Sequence, residues 1–264
     1  MATISYALDI GVYFTGKREQ VLSKTSAAWC RVHDGVSDLT ALQYSACGNG
    51  YDEGVLSVSD DEASFKCGRS LRVLAAALAE DLDAGHRVGL GFEAPMWIPL
   101  TSAHGPDLSL FEARFDAEED HRWYVQAGAA ASLKAMVLGD LLFRLLGSHL
   151  GGKVGLTTSL KGWEQGTIVL YEAFVAGSHK VTGAPAAEEA PDEWDAFVAA
   201  LAWGHFHSDF ELPNGYRAVR LHEAGDRDPR EVLSIWSTLR RAGTVAGPPD
   251  CEVVALKADG GGEG

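Results

Sequence analysis

Four acidic side chains stand where acids are costly to keep. Asp9 closes the apolar run ISYAL, Glu93 follows the apolar run VGLGF, and Asp192 and Asp195 open the segment DEWDAFVAALAW. Carboxylates at the edge of an element, beside strongly apolar sequence, are rare unless they are paired or metal-bound. A nest of carboxylates is what two-metal phosphodiester hydrolysis needs, with ions about 3.5–4 Å apart activating a water and stabilising the leaving oxygen. An all-oxygen donor set suits Mg²⁺ or Mn²⁺. In the role assignment expected here, Asp9 bridges both ions, Glu93 and Asp195 each complete one side, and Asp192 is auxiliary. Asp192 and Asp195, three apart, share one helical face. Asp192 alone also suits an N-cap or first-turn position, but that does not account for Asp195, which heads an apolar stripe.

The elements that would position these acids can be read from periodicity. Residues 4–9 form an apolar, β-rich run, followed by a turn bounded by Gly11 and Gly16. Residues 26–32 and 39–46 read as two further strands, GVLSVSD as a short additional one, and residues 69–82 as a helix with Leu71, Leu74, Leu78 and Leu82 in phase. Residues 87–92 are a continuous apolar strand of the kind covered on both faces. Residues 95–106, with three prolines, read as a loop whose Trp97 and Ile98 form a lip. A long helix follows over 122–146, with Leu133, Val137, Leu141 and Leu145 as its expected buried stripe. The strand TIVLY ends at Glu172, a candidate fifth acid; APAAEEAP is a linker, and residues 192–203 an amphipathic helix. HFHSDFELPNGY reads as a loop, followed by weaker strands at 216–221 and 252–256 around a helix at 231–241.

The order β-β-β-α-β-α-β-α predicts an α/β protein with a central mixed five-stranded sheet. An antiparallel opening would be extended by parallel strands, with flanking helices and a C-terminal α/β extension. Asp9 belongs on its central strand and Glu93 on the neighbour. Expected boundaries are 1–205 for the main domain, 206–257 for the extension packed on it, and 258–264 for a disordered tail.

Composition sets limits on partners. Among 264 residues, 46% are hydrophobic and the formal net charge is −15. Such an excess of acid repels long nucleic acid, whose binding usually depends on Lys and Arg neutralising phosphates. The expected nucleic-acid ligand is therefore short or structured and weakly bound, or met through a basic protein partner. Local basic candidates are Lys17/Arg18, Lys66/Arg69/Arg72, Lys153/Lys161 and Arg240/Arg241, each also readable as solvated surface. No apolar run reaches the roughly 18 residues of a membrane span, and MATISYALDI lacks a leader's basic start. Four scattered cysteines, Cys30, Cys47, Cys67 and Cys251, suit reduced structural thiols, so a cytoplasmic protein without membrane contact is expected.

The segment ALDIGVYFTG resembles the first-strand motif of RuvC-type resolvases, an Asp followed by a glycine turn and Thr-Gly. FEAP resembles that family's second acidic position, and DEWDAFVAALAW its closing D-x-x-D-A helix. With LYEAF ahead of that helix, the arrangement is still more similar to a family of predicted RNase H-fold nucleases, domain of unknown function 429, over roughly residues 3–205. The resemblance implies an RNase H-like sheet and metal ligation by Asp9, Glu93, Asp192 and Asp195. Tyr13 and Phe14 depart from it, placing bulky aromatics in a turn that is often small in such enzymes.

Two other readings stay open. One is a non-catalytic RNase H-fold binding or complex-forming protein, suggested by the acidic surface and by Trp97, Trp123, Trp163, Trp194 and Trp203. The other is an actin-like nucleotide phosphotransferase, for which GSHLGGKVG is a poor phosphate loop because it follows a helix rather than preceding one. His205, His207 and Asp209, with His179 or His222, are candidates for a zinc site or for assisting the acids, or are simply partly buried loop histidines.

Overall fold

In the computed structural model, the residues described are 2–10, 27–47, 52–58, 64–99, 114, 127–152, 154–163, 166–175, 179–225, 232–236, 239 and 242–259. The strands are β1 (Thr3–Asp9), β2 (Ala28–Val32), β3 (Gln43–Cys47), β4 (Glu53–Ser57), β5 (Ser64–Gly68), β6 (Arg87–Phe92), β7 (Trp97–Pro99), β8 (Val154–Thr157), β9 (Thr167–Ala173), β10 (Tyr216–His222), β11 (Val232–Ser234), β12 (Gly243–Ala246) and β13 (Val253–Ala258). The helices are α1 (Leu71–Asp83), α2 (Ala127–Leu150), α3 (Pro185–Glu189) and α4 (Pro191–His207).

β1 lies inside a mixed sheet, buried from Ile4 to Asp9. It pairs antiparallel with β2, from Asp9↔Ala28 to Ser5↔Val32, and parallel with β6, from Thr3↔Arg87 to Leu8↔Phe92. Beyond β2 lies antiparallel β5; beyond β6 lies parallel β9. Four of these, β1, β2, β6 and β9, are strands expected of the mixed core. The fifth place is taken by β5, a strand outside the expected set, while the expected third strand lies at the far edge as β3, and the sheet is larger than five. β4 and β3 extend one side, β13 and β10 the other, and β8 and β12 join through β9, giving eleven strands. β7 and β11 form a separate two-stranded sheet.

The pleat sorts the chain into two cores, because successive side chains of a strand face opposite ways. Ile4, Tyr6 and Leu8 join Val88, Leu90, Phe92, Ile168 and Leu170 under α1 and α2. Ala7 joins Cys30, Val169, Tyr171 and Ala173 under α4. α1 starts at Ser70, whose Oγ accepts from the Val73 amide, and Gly85 just past its end takes φ 75°. On α4, Ala196, Ala199, Ala200 and Ala202 are all buried, and Trp203 stacks on Tyr171 with ring centroids 5.1 Å apart. Gly89 and Gly91 on β6 make this possible: a Cβ at either would run into the Trp203 or the Tyr171 ring.

Several expectations change. On α2, Leu133, Val137 and Leu141 are 63%, 69% and 46% exposed, while Ala135, Leu138, Leu142, Phe143 and Leu146 are buried. The helix is apolar nearly all round, so its period could not select the inward face. α4 is not amphipathic either, being buried from Glu193 to Gly204. Its outer side is covered by Val36, Leu39, Leu42, Val181, Ala184 and Ala186. It also runs on to His207, into the expected loop, and α3 occupies the expected linker. Residues 39–42 are not strand: β3 begins at Gln43. Strand β11 stands at the start of the expected helix 231–241, and β5, β7, β8 and β12 are short strands with too few residues to show a period. All four cysteines are free, and Cys30 and Cys67 face each other across β2 and β5 with Sγ atoms 2.8 Å apart. Among the described residues no helix is long and apolar enough to cross a membrane.

Candidate functional site: a carboxylate nest at the ends of two parallel strands

Asp9 is the last residue of β1, two on from Ala7, so it emerges on the α4 face of the sheet. Glu93 directly follows β6, its amide donating to the Leu8 carbonyl at 2.8 Å. It lies two residues beyond Gly91 and on the same face, within hydrogen-bonding reach of Asp9. α4 delivers the other two acids from its first turns, with Pro191 at its start. Asp9 and Asp195 are each only 6% exposed; Glu93 and Asp192 are half-buried.

Glu93, Asp192 and Asp195 each feel the Asp9 charge. Burial pushes the Glu93 carboxyl well above its usual range, and the Asp9 charge and hydrogen bond push it further. Asp195 is pushed up to about 6, first by burial and then by Asp9 and Asp192, against the lowering effect of Lys180. Asp192 is raised by burial and by Asp9, partly offset by Arg69. Among the described residues Lys180 brings a positive charge to the centre of the nest. Lys180 Nζ donates to Asp195 Oδ2 at 3.0 Å, and its own pKa is raised chiefly by that bond, with smaller contributions from Glu93 and Asp9. Asp195 Oδ1 is buried with no hydrogen-bond partner among the described residues.

Lys180 is the functional candidate that sequence reasoning missed. It lies between β9 and α3, where a single lysine carries no periodic signal. Its backbone is fixed nearby, because the Trp194 indole donates to the Val181 carbonyl at 2.9 Å. Arg69, a basic candidate also readable as solvated surface, ties down the head of α4: it grips Glu193 at 2.6 and 2.9 Å and reaches Asp192 at 3.2 Å. Lys66, Arg72 and Lys161 are exposed; Lys17, Arg18, Lys153, Arg240 and Arg241 lie outside the described residues, as do Gly11, Tyr13, Phe14, Gly16 and Trp123.

Glu172 does not join the nest. It shares the pleat of Ile168 and Leu170, on the opposite face of the sheet, where the Arg114 guanidinium holds both its oxygens at 2.7 Å and the Met96 amide donates at 3.1 Å. Trp97 belongs to this assembly, with Arg114 over its ring at 5.0 Å. The histidines do not converge either. His205 bonds the Phe210 carbonyl, His207 meets Glu252 at 2.6 Å, His222 meets Asp250 at 2.7 Å, and His179 packs against Phe174. His207 closes the far end of α4, about 18 Å from Asp195 at 1.5 Å per residue, so it cannot assist the acids.

The donor chemistry fits a hard divalent ion. Four carboxylates on one face offer oxygens only, one of them buried and unbonded, and their mutual repulsion would fall on ion binding. As the side chains stand, no group of three or more His, Cys, Asp or Glu among the described residues is arranged to hold a metal. Lys180 engages one Asp195 oxygen and Glu93 bonds Asp9, so loading would require at least these two contacts to rearrange. Compared with models of protein families, with curated proteins and with solved structures, the chain matches none.

Proposed function

We propose that the chain is an RNase H-like, divalent-metal-dependent nuclease acting on phosphodiester bonds. The observation that carries the reading is the meeting of Asp9, Glu93, Asp192 and Asp195 at one place, close enough that the Asp9 charge raises the pKa of each of the other three. The order β5-β2-β1-β6-β9, antiparallel then parallel about β1, agrees with the strand plan of that fold. Asp9, Glu93, Asp192 and Asp195 would hold Mg²⁺ or Mn²⁺, which when bound in a pair activates water and stabilises a leaving oxygen. The protein's own contribution is orientation: Arg69 fixes the head of α4 and hence the angle at which Asp192 and Asp195 enter. Burial and the neighbouring Asp9 favour the protonated form of Glu93, and ion binding would favour the ionised one.

The rival, a non-catalytic binding protein of the same fold, is favoured by the Lys180 ammonium already sitting on Asp195. The two readings separate in one experiment. The parent and Asp9→Asn proteins are incubated with labelled single- and double-stranded oligonucleotides and Mn²⁺. Cleavage by the parent that falls at least about a hundredfold in the variant supports the nuclease. Equal residual cleavage in both points to a contaminant, and oligonucleotide binding without cleavage to the rival.

A further inference from the structure

We propose that Lys180 is the resident counter-ion of the carboxylate nest and competes directly with divalent cations for Asp195, so that it sets the ion concentration at which the site loads. This rests on the reading of the four acids as a metal site.

The geometry is asymmetric in a way that suits displacement. The Asp195 side chain is 7% exposed and held on a buried helix, whereas that of Lys180 is 52% exposed. The carboxylate therefore cannot follow a departing partner, but the ammonium can leave for solvent by rotating its flexible stem. Its backbone stays near the site through the Trp194–Val181 contact, so it remains available to return. No substitute among the described residues is positioned to replace it, since the Arg69 guanidinium is committed to Glu193 and Asp192. Lys180 touches Oδ2 alone and leaves the buried Oδ1 unbonded. A point charge with one carboxylate contact is a weaker complement to this group than an ion that can accept several oxygens at once. An entering cation thus displaces Lys180 from Asp195 and frees an ammonium at the mouth of the site, where a phosphate oxygen is a chemically suitable next partner.

The test is Mn²⁺ titration by calorimetry, with thermal unfolding in chelator and in Mn²⁺, on the parent, Lys180→Met and Lys180→Arg. Met keeps the stem and removes the charge. If Lys180 competes, Lys180→Met binds Mn²⁺ roughly two- to fivefold more tightly than the parent, the scale of losing a half-exposed ion pair. Its unfolding temperature drops in chelator and its Mn²⁺-induced rise exceeds the parent's. Lys180→Arg, which keeps the charge, stays near the parent. Equal or weaker Mn²⁺ binding by Lys180→Met, with the parent binding normally, overturns the role of Lys180 and leaves the metal site standing. Absence of Mn²⁺ binding in all three proteins overturns the metal site, and this inference with it.

Discussion

Two acidic positions at the ends of neighbouring parallel strands meet opposite fates. Glu172 on β9 is level with Phe92 on β6 and Leu8 on β1. One residue further along, Asp9 and Glu93 leave the same sheet on its other face. Glu172 is fully buried but has Arg114 on both oxygens and a backbone amide besides. The nest has four carboxylates, one half-exposed lysine at its centre, and Arg69 shared at its edge. Glu172 is a buried charge paired and hydrogen-bonded as part of the architecture, whereas the nest brings several carboxylates together so that the Asp9 charge raises the pKa values of the other three, as often happens at functional sites. The difference between the two comes from the pleat, not from residue type.

That contrast predicts opposite mutational signs. Glu172→Gln leaves Arg114 buried without its counter-charge and should cost about 3–5 kcal/mol. Asp195→Asn removes a carboxylate that repels its neighbours, so the metal-free protein should be unchanged or stabilised by up to about 1 kcal/mol after the loss of the Lys180 contact. Urea unfolding of both variants in chelator measures the pair. A large loss on Asp195→Asn would mean that the nest is structural, like Glu172.

The middle-sized effect is on pH. The folded Asp195 carboxyl titrates at about 6, above its ordinary 3.8, and Glu93 and Asp192 shift the same way. A raised acid binds its proton more tightly folded than unfolded. Its contribution is therefore favourable at low pH and is lost as pH rises from about 4 through about 6. Lys180 and Arg69, which face the same groups, stay charged throughout this window. In chelator, unfolding temperature should be a few degrees higher at about pH 5 than at about pH 7.5. Asp195→Asn should flatten the difference, and saturating Mn²⁺ should shrink it at the high-pH end.

The sequence carried the acids and their order, because Asp9, Glu93, Asp192 and Asp195 each interrupt or head a strongly apolar run. It could not separate Glu172 from them, since which face a strand residue takes depends on register with partners far along the chain. A one-residue offset sends Glu172 to Arg114 instead of to Asp9. The inward face of α2 was illegible for a related reason: with Leu133, Val137 and Leu141 as apolar as Leu138, Leu142 and Leu146, only packing decides. Lys180 left no trace at all. A lysine between elements becomes a counter-ion only when the loop holding it is pinned against α4.

The smallest expected effect concerns how this acidic chain meets a polyanion. Glu172 shows what a carboxylate looks like when an arginine holds both its oxygens; around the nest, among the described residues, few cations stand free. Around it the described residues offer Lys180, Arg69, already engaged by Glu193 and Asp192, and exposed Lys66 on the same strand-to-helix segment. Against a net charge of −15, these can neutralise only a few phosphates. With Lys180 held on Asp195, counterion release by Arg69 and Lys66 gives a slope of log affinity against log salt of about −1 to −2, at roughly −0.9 for each phosphate neutralised on duplex. Divalent ions should strengthen binding by removing repulsion inside the nest, and Lys180, once released from Asp195, would add about one unit to the slope in Mn²⁺. Fluorescence anisotropy with short single- and double-stranded oligonucleotides, across a salt series with and without Mn²⁺, reads all three quantities. A steep, metal-independent slope would place the ligand on a basic surface away from these acids and break the link between the nest and nucleic acid. A shallow slope that steepens in Mn²⁺ for the parent, and not for Lys180→Met, would join the counter-ion to the substrate.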